Sequence, residues 1–317
     1  MISNMDEDIM LSIYVATYNH EKYIGMALDS ILMQKTKHKF EVLVGEDCST
    51  DKTREVLQQY ERKYPGFFTI FYRDHNMHSE KPNNAGDLKR RCRGKYIIAL
   101  EGDDYWTDEN KIEQQIDFLE NHPEYIGAAH NCVVVDENSN PNGEEYPECK
   151  DEEYTLKHFI SEIMPGQLTT LMYRNYRRDN MIDSSIFDKK ITPGDRVSIF
   201  ALTVNGRIYC QQKVMSAYRH ITGHGTSFSA NYKYSFDKDE KYTNELYCYA
   251  VKNGDEETLK IVSSLYVRSL MNGIKSRQCS FREMLKYLNK IDNKYIALYS
   301  YFKQWVNHHI LRKKIWI

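Results

Sequence analysis

The residues best suited to chemistry stand in the segment Glu101-Gly102-Asp103-Asp104. The apolar run directly before it, residues 95–100, has the length and β-branched content of a buried strand. The carboxylates therefore fall at the carboxyl end of a strand, where open α/β sheets bind ligands. Neighbouring carboxylates repel one another and lose solvation there, a cost that a bound divalent cation removes. For an Asp-Asp pair in isolation, a polar turn is the commoner interpretation.

Two further polar segments follow predicted strands. Asp47 comes just after a strand over 40–45 and could accept a hydrogen bond from the N3 proton of a uracil or from a ribose hydroxyl. Ser49 and Asp51, a few residues later, are expected to cap the next helix. The segment at the end of a strand over 11–16 can form a plain turn or can contact a nucleotide base. It consists of Ala16, Thr17, Tyr18 and Asn19.

The second half of the chain offers two more candidates. Asp195 stands at the start of a predicted helix over 194–205, with Thr192 as its cap and Pro193 in its first position. A carboxylate there can be catalytic, or it can simply favour the helix dipole. The Gly-rich segment 218–227 contains Arg219, His220 and His224, of which the two histidines can bind metal or phosphate or can merely be exposed.

These residues need an alternating framework to position them, and the first half of the chain predicts one. Strand and helix signals alternate up to residue 135, which is typical of βαβ units and a mainly parallel sheet with helices on both faces. The later part is less regular and becomes helical from about residue 231, where we place a domain boundary. The predicted strands cover 11–16, 40–45, 67–72, 95–100, 126–135, 167–173, 207–211 and 214–218. The predicted helices cover 20–33, 51–64, 86–93, 110–121, 194–205, 241–252, 256–275, 281–290 and 294–311.

Composition narrows the class of protein. The 317 residues are 41% hydrophobic and 28% charged, as in an ordinary soluble protein of one large or two smaller domains. The net charge of −2 gives no reason to expect nucleic acid as a partner. Seven scattered cysteines without a Cys-x-x-Cys pair indicate reduced thiols in a cytoplasm. The acidic start lacks the layout of a signal peptide, and no stretch approaches the ~20 apolar residues that cross a bilayer.

Taken together, the motifs resemble family 2 glycosyltransferases, the inverting, nucleotide-sugar-dependent enzymes of the GT-A fold. The segments VATYNHEKYIGMALDSIL, VGEDCSTDKT and GKYIIALEGDDYW match that family in order and spacing. The later segments PGDRVSIFALTVNGRIY and VMSAYRHITGHGTS look like its acceptor-side half. The resemblance covers residues 9 to 230. It implies a catalytic domain over 1–230, with a nucleotide-binding half at 9–135 and an acceptor half at 136–230, and a C-terminal helical region over 231–317.

The resemblance assigns roles residue by residue. Asp47 matches the base-binding aspartate, Asp103 the position near the ribose and Asp104 the ligand of a divalent metal, Mn²⁺ or Mg²⁺. Asp195 matches the catalytic base. A histidine that reaches the diphosphate or metal corresponds to His220 or His224, and the spacing leaves both open. Two departures stand out: Glu101 and Gly102 replace the usual Asp-x or Asp-Ala, and Ala16 stands where many relatives have Pro.

The implied reaction moves a sugar from a nucleotide-diphosphate donor, a UDP-sugar by expectation, to a hydroxyl of a glycan or lipid-linked glycan. Charge on the departing diphosphate is stabilised by the metal, with help from Arg219 or a loop histidine. Asp195 takes the proton of the acceptor hydroxyl. Two alternatives stay open: a polyprenyl-phosphate sugar synthase, and a non-catalytic nucleotide-sugar or glycan-binding module on the same fold. A dehydrogenase is disfavoured because the first βα turn has no Gly-x-Gly-x-x-Gly.

The C-terminal helices carry no recognisable motif. Aromatic and basic residues mingle over 294–317, which suits peripheral contact with an anionic membrane at the inner face. A core-facing helix with a solvated basic tail explains the same pattern. Formation of a homodimer is a third use for this region.

Overall fold

The computed structural model describes residues 9–80, 82–179, 182–189, 194–221 and 234–310. It divides into two compact units. The first comprises Met1–Glu153, Pro165–Ile182 and Ile208–Ile221. The second comprises Tyr154–Met164, Asp183–Arg207 and Thr222–Ile317. The predicted boundary at residue 231 stays a prediction.

The first unit is built on a mixed sheet. Its strands are β1 (Leu11–Thr17), β2 (Phe40–Glu46), β3 (Phe68–Tyr72), β4 (Tyr96–Glu101), β5 (Tyr105–Trp106), β6 (Tyr125–Val135), β7 (Glu153–Tyr154), β8 (Met172–Arg174) and β9 (Arg207–Arg219). Four strands run parallel in the order β3-β2-β1-β4, as the predicted βαβ alternation requires. The sheet continues from β4 through β8, β6 and β9 to β5, with antiparallel pairing of β4 to β8, β8 to β6 and β9 to β5.

The core of this unit forms because the strands and helices bury their apolar residues together. Ile13 and Val15 of β1, with Ile98 and Leu100 of β4, are almost fully buried in one cluster. Each such aliphatic side chain contributes about 1.5–3 kcal/mol by leaving water. The cluster also takes apolar residues from three of the connecting helices, α1 (Ile24–Leu32), α2 (Thr53–Lys63) and α4 (Lys111–Asn121). Between β3 and β4 lies α3 (Asn84–Arg91).

The second unit is mainly helical. Its long helix α9 (Glu256–Lys275) packs against α5 (Leu156–Ile160), α8 (Phe236–Asn253), α10 (Phe281–Leu288) and α11 (Lys294–His309). The sequence shows why these helices start where they do. The Asp255 side chain accepts a hydrogen bond from Thr258 N at 2.7 Å, and Ser280 and Glu283 form a capping box. The helix that carries Asp195 is α7 (Gly194–Asn205), and the four-residue α6 (Tyr176–Asp179) belongs to the first unit.

Most predicted elements are confirmed with shifts of a few residues at their ends, and three details were wrong. Residues 207–211 and 214–218 belong to one continuous strand, β9. The predicted strand over 167–173 is a 3₁₀ turn, Leu168–Thr170, followed by the short β8. Ser49 does not cap α2, because its hydroxyl accepts a hydrogen bond from Asn19 N at 3.0 Å instead. The cap residues Thr192 and Pro193 lie outside the described residues.

Candidate active site

The carboxyl ends of three parallel strands bring the predicted site segments together. Ala16 in β1 pairs with Gly45 in β2 on one side and with Glu101 in β4 on the other. Two backbone hydrogen bonds continue this register beyond the strands. Asp47 N donates to Thr17 O at 3.0 Å, and Gly102 N donates to Ala16 O at 3.1 Å. The loops after β1, β2 and β4 therefore start from one edge of the sheet, where ligands of α/β proteins bind.

The loop after β1 is locked to the loop after β2. Asn19 adopts a left-handed backbone conformation with φ of 57°, which asparagine tolerates better than most residues. Its side-chain Oδ1 accepts a hydrogen bond from Thr50 N at 2.8 Å. Thr17 is buried, Tyr18 is half-buried and Asn19 is exposed. Asn19, predicted to bind the nucleotide sugar, thus uses its side chain to join two loops.

Asp47 and Glu46 differ in what their carboxylates contact. Asp47 is buried, and its Oδ1 accepts a hydrogen bond from Met77 N at 2.8 Å. Glu46 is fully buried and accepts from Ser49 N at 2.6 Å and from Arg54 Nε at 2.7 Å. An ion pair whose carboxylate is buried and also bonded to the backbone holds a loop in place. Glu46 therefore supports the turn, and Asp47 remains the candidate for the nucleotide.

The predicted acidic cluster is present in the loop after β4. Glu101, Asp103 and Asp104 each offer a carboxylate oxygen, and these oxygens lie within 4.8 Å of one another. The Asp103 side chain is 33% exposed, with its Oδ2 at 3.7 Å from His20 Nε2. Asp104 is 1% exposed. Carboxylate oxygens are the hard ligands that Mg²⁺ and Mn²⁺ prefer, so the donor set fits such an ion.

Asp104 is held from both sides. Its Oδ1 accepts a hydrogen bond from Arg219 N at 2.8 Å, and its Oδ2 accepts one from Gln167 Nε2 at 3.0 Å. Burial raises the pKa of Asp104 well above its usual value of 3.8, and the charges of Asp103 and Glu101 raise it further. A divalent cation would remove this cost, because it supplies opposite charge to the same oxygens.

Gln167 is the residue that the sequence did not indicate. It lies on the turn before β8, within the segment predicted as a strand, and is 3% exposed. Its amide nitrogen bonds to Asp104 Oδ2 and, at 3.3 Å, to Glu101 Oε2. A glutamine next to Gly166 in a predicted strand carries no recognisable signal for a site. Only the antiparallel placement of β8 beside β4 brings it to the carboxylates.

Arg219 lies beside the acidic cluster, but its guanidinium group donates to two backbone oxygens and one hydroxyl of the neighbouring segments. Nε donates to Asp103 O at 3.0 Å, Nη1 to Asp136 O at 2.6 Å and Nη2 to Ser139 Oγ at 3.0 Å. Its guanidinium carbon lies 4.2 Å from the centre of the Tyr23 ring, which adds a cation–π contact. Arg219 therefore ties the loop after β4 to the turn after β6.

Of the two histidine candidates, His220 lies within the described residues and His224 does not. His220 follows directly on Arg219, and its Nδ1 lies 2.5 Å from Glu144 Oε2. Its backbone N donates to Val135 O at 2.9 Å, and its ring stacks on Tyr218. His224 lies outside the described residues. The choice between the two histidines stays a prediction.

Asp195 belongs to the second unit, in the first turn of α7. It is half-buried, as a carboxylate near a helix N-terminus can be at little cost. The next residue, Arg196, donates to Phe159 O at 3.0 Å and anchors the helix start. Burial raises the pKa of the nearby Tyr242 to about 12, with a smaller contribution from the Asp195 carboxylate.

Comparison with known proteins identifies the family. The family model "Glycosyl transferase family 2" matches residues 12–187, more than half of the chain. An uncharacterized protein of Mycobacterium tuberculosis is 30% identical over 228 residues, which is 69% of this chain and 61% of that protein. The poly(ribitol-phosphate) beta-N-acetylglucosaminyltransferase TarS of Staphylococcus aureus is 30% identical over 139 residues, 43% of this chain and 22% of TarS. The chain thus belongs to glycosyl transferase family 2 and spans about three fifths of the mycobacterial relative's length.

A solved structure confirms the fold class. The crystal structure of residues 1–349 of S. aureus TarS in complex with UDP-GlcNAc superposes with a TM-score of 0.66 at 20% sequence identity. The match covers 96% of this chain and 88% of that one. The predicted α/β GT-A fold with a mainly parallel central sheet and C-terminal helices is therefore confirmed. Within the described residues, none of the helices combines the length and apolar character needed to cross a membrane.

Proposed function

We propose that this protein is an inverting glycosyltransferase that moves a sugar from a nucleotide-diphosphate donor to a hydroxyl of a glycan or lipid-linked glycan. The observation that carries the proposal is the cluster of Glu101, Asp103 and Asp104 at the sheet edge of a chain that belongs to this family. TarS, a relative with a similar fold, was crystallised with UDP-GlcNAc. That supports a UDP-sugar as the donor class.

The donor lies, in this proposal, over the loops after β1 and β2. Asp47 is the partner of the base or ribose, and Asp103 lies nearer the ribose. The second oxygen of a carboxylate such as Asp47 can accept from the N3 proton of a uracil. Ala16, Thr17 and the half-buried Tyr18 form the strand end against which the nucleotide rests.

A divalent cation is part of the proposal, with Asp104 as its principal ligand and Asp103 and Glu101 beside it. When bound, Mn²⁺ or Mg²⁺ supplies positive charge to the diphosphate as it becomes the leaving group. The protein holds the Asp104 carboxylate ready through Arg219 N and Gln167 Nε2.

Asp195 is the proposed general base. As the acceptor oxygen forms its bond to the anomeric carbon, the bond from that carbon to the diphosphate oxygen breaks. The hydroxyl proton passes to the Asp195 carboxylate. The anomeric configuration inverts because the acceptor oxygen attacks from the face opposite the departing diphosphate. A positioned base of this kind contributes typically about 10²–10⁴-fold to the rate.

The substitution Asp195→Asn tests the base. We expect the turnover number to fall by about 10²–10⁴-fold, while UDP affinity stays within a factor of about two, because the amide cannot take a proton. Transfer to a panel of acceptors and binding of UDP would be measured with the same preparation. Near-normal turnover of the Asn variant would contradict the assignment.

We also propose that the enzyme works at the inner face of the membrane. Its seven cysteines are all free thiols, which suits a reducing compartment such as the cytoplasm. On α11, Tyr295, Tyr299 and Phe302 are 78%, 70% and 62% exposed. Exposed aromatic rings at this spacing share one helix face and suit a lipid interface. Formation of a homodimer stays a prediction.

A further inference from the structure

The buried amide of Gln167 stands between two carboxylates of the candidate metal site. From this geometry, and resting on the proposed function, we propose that Gln167 is a positioning residue for the metal. It fixes the Asp104 carboxylate in the orientation that binds the cation, without being a ligand itself. Gln167 lies in none of the segments that resemble family 2 glycosyltransferase motifs, and it becomes part of the site only through the fold.

The orientation of the Gln167 amide is determined by its neighbours. Its Oε1 accepts from Thr169 N and from Thr169 Oγ1, both at 2.6 Å. Two donors at one end of the amide require the carbonyl oxygen there. The NH₂ group must then face Asp104 Oδ2 at 3.0 Å and Glu101 Oε2 at 3.3 Å. Its two hydrogens suffice for one bond to each carboxylate.

The backbone around Gln167 is clamped, so the amide cannot easily turn away. Thr170 N donates to Gln167 O at 2.9 Å, which closes the 3₁₀ turn, and Thr170 Oγ1 donates to the same oxygen at 2.7 Å. Trp106, two residues after Asp104, is 1% exposed and donates from Nε1 to Thr169 O at 3.0 Å. A Cβ added at Gly166 would collide with Thr170 Oγ1 and with His130 O. The turn at Gln167 and the loop after β4 are therefore joined twice, by the bond from Gln167 to Asp104 and by the bond from Trp106 to Thr169.

The two hydrogen bonds to Asp104 leave each of its carboxylate oxygens able to bind a cation. A carboxylate oxygen can accept two hydrogen bonds, and each Asp104 oxygen already accepts one, from Arg219 N or from Gln167 Nε2. One lone pair on each Asp104 oxygen remains for a cation. These lone pairs lie in the plane of the carboxylate, which the two hydrogen bonds hold in place. Partners that orient a ligand in this way typically change metal affinity by about 10–100-fold when they are removed.

The test is the affinity for Mn²⁺ alone, measured by the loss of the electron paramagnetic resonance signal of free Mn²⁺. We expect Gln167→Met, which keeps the volume and removes the amide, to raise the dissociation constant by about tenfold or more. Thr169→Val, which removes one of the two donors at Oε1, should weaken Mn²⁺ binding by a smaller factor. Gln304→Met is the matched control, because Gln304 is a buried glutamine of the second unit that bonds to Ser264. It should leave Mn²⁺ affinity unchanged.

The outcomes separate this inference from the function on which it rests. A wild-type protein that binds no Mn²⁺ overturns the proposed metal site, and the role of Gln167 with it. If the wild type binds Mn²⁺ and folded Gln167→Met binds it equally well, only the role of Gln167 is overturned. If Gln304→Met weakens binding as much as Gln167→Met does, the effect is general destabilisation, and the positioning role is wrong. If Gln167→Met does not fold, unchanged affinity of Thr169→Val overturns the inference.

Discussion

At the scale of single residues, electrostatics make ionisation of one carboxyl in the candidate site unfavourable. Asp104 is 1% exposed and has Glu101 and Asp103 beside it, so burial and like charge both disfavour its ionised form. Structural stability alone gives no reason to keep such a carboxylate ionised and buried. Ionisable groups whose pKa is shifted in this way are concentrated at functional sites, because a bound ligand of opposite charge makes the ionised form favourable. The two hydrogen bonds to Asp104 hold its position but do not cancel the repulsion.

The raised pKa of Asp104 makes the effect of metal depend on pH. Without metal, a carboxyl whose pKa is higher in the folded than in the unfolded protein, as for Asp104, stabilises the fold at pH values below its unfolded pKa. That contribution is lost as pH rises through the folded pKa. Mn²⁺ competes with the proton for the same oxygens. We therefore expect Mn²⁺ to raise the melting temperature more at pH 7.5 than at pH 5, as measured by thermal unfolding with and without the ion.

Asp104→Ala provides the control for this pH effect. The variant should show little dependence of the Mn²⁺-induced shift on pH, because the carboxyl that titrates is gone. A wild-type shift that is the same at both pH values would contradict the place of Asp104 in the metal site.

At the scale of elements, the loop after β4 closes tightly on the loop after β1. A Cβ added at Gly102 would lie 2.6 Å from Thr17 Oγ1 and 2.7 Å from His20 Nδ1, closer than real Cβ contacts. This close approach is the physical reason for glycine in the second place of the acidic tetrad. His20 in turn lies near Asp103, with its Nε2 at 3.7 Å from Oδ2.

We expect Gly102→Ala to destabilise the protein by about 1–3 kcal/mol, as overpacking of a tight contact does. Because His20 and Thr17 must move, Mn²⁺ affinity should fall as well, although no ligand has been removed. Chemical denaturation and Mn²⁺ titration measure the two effects. Unchanged stability together with unchanged affinity would show that the two loops are less tightly joined than the contacts indicate.

The elements also show how far sequence reasoning reaches. The parallel half of the sheet could be predicted because each strand and helix signal there is local, from the apolar run of β1 to the end of α4. The turn at Gln167 could not, because Thr169 and Trp106 fix it through hydrogen bonds that depend on the tertiary fold. The cap at Ser49 was wrong for the same reason: its hydroxyl bonds to Asn19, thirty residues away in the chain.

The site divides along the same line. The positions of the acidic cluster and of Asp47 could be predicted, since each follows a strand end directly, and their roles stay predictions. The hydrogen bonds of Arg219 to Asp136 O and Ser139 Oγ could not, because they join segments that are distant in the sequence.

At the scale of the whole molecule, α11 presents two different faces. Ala297 is 1% exposed, and Gln304 accepts a hydrogen bond from Ser264 of α9 at 2.9 Å, so one face completes the second unit. Tyr295, Tyr299 and Phe302 lie on the exposed face. Deleting the helix would therefore remove core contacts along with any membrane contact.

Surface substitution separates the two roles. The triple change of Tyr295, Tyr299 and Phe302 to Ser should leave the melting temperature nearly unchanged and reduce co-sedimentation with phosphatidylglycerol vesicles severalfold. Phe281→Ser is the matched control, because Phe281 is 66% exposed on α10 and outside this face. Equal co-sedimentation of the triple variant and the wild type would remove the lipid contact.

The proposed function depends most directly on metal-assisted binding of the nucleotide at Asp104. The decisive measurement is calorimetric titration of UDP into the wild type and into folded Asp104→Ala, each with Mn²⁺ and with a chelator. We expect the wild type to bind UDP at least about tenfold more tightly with Mn²⁺ than without, and Asp104→Ala to lose that difference. Equal affinity for UDP in all four titrations would contradict the metal site, and absence of UDP binding would contradict the donor class.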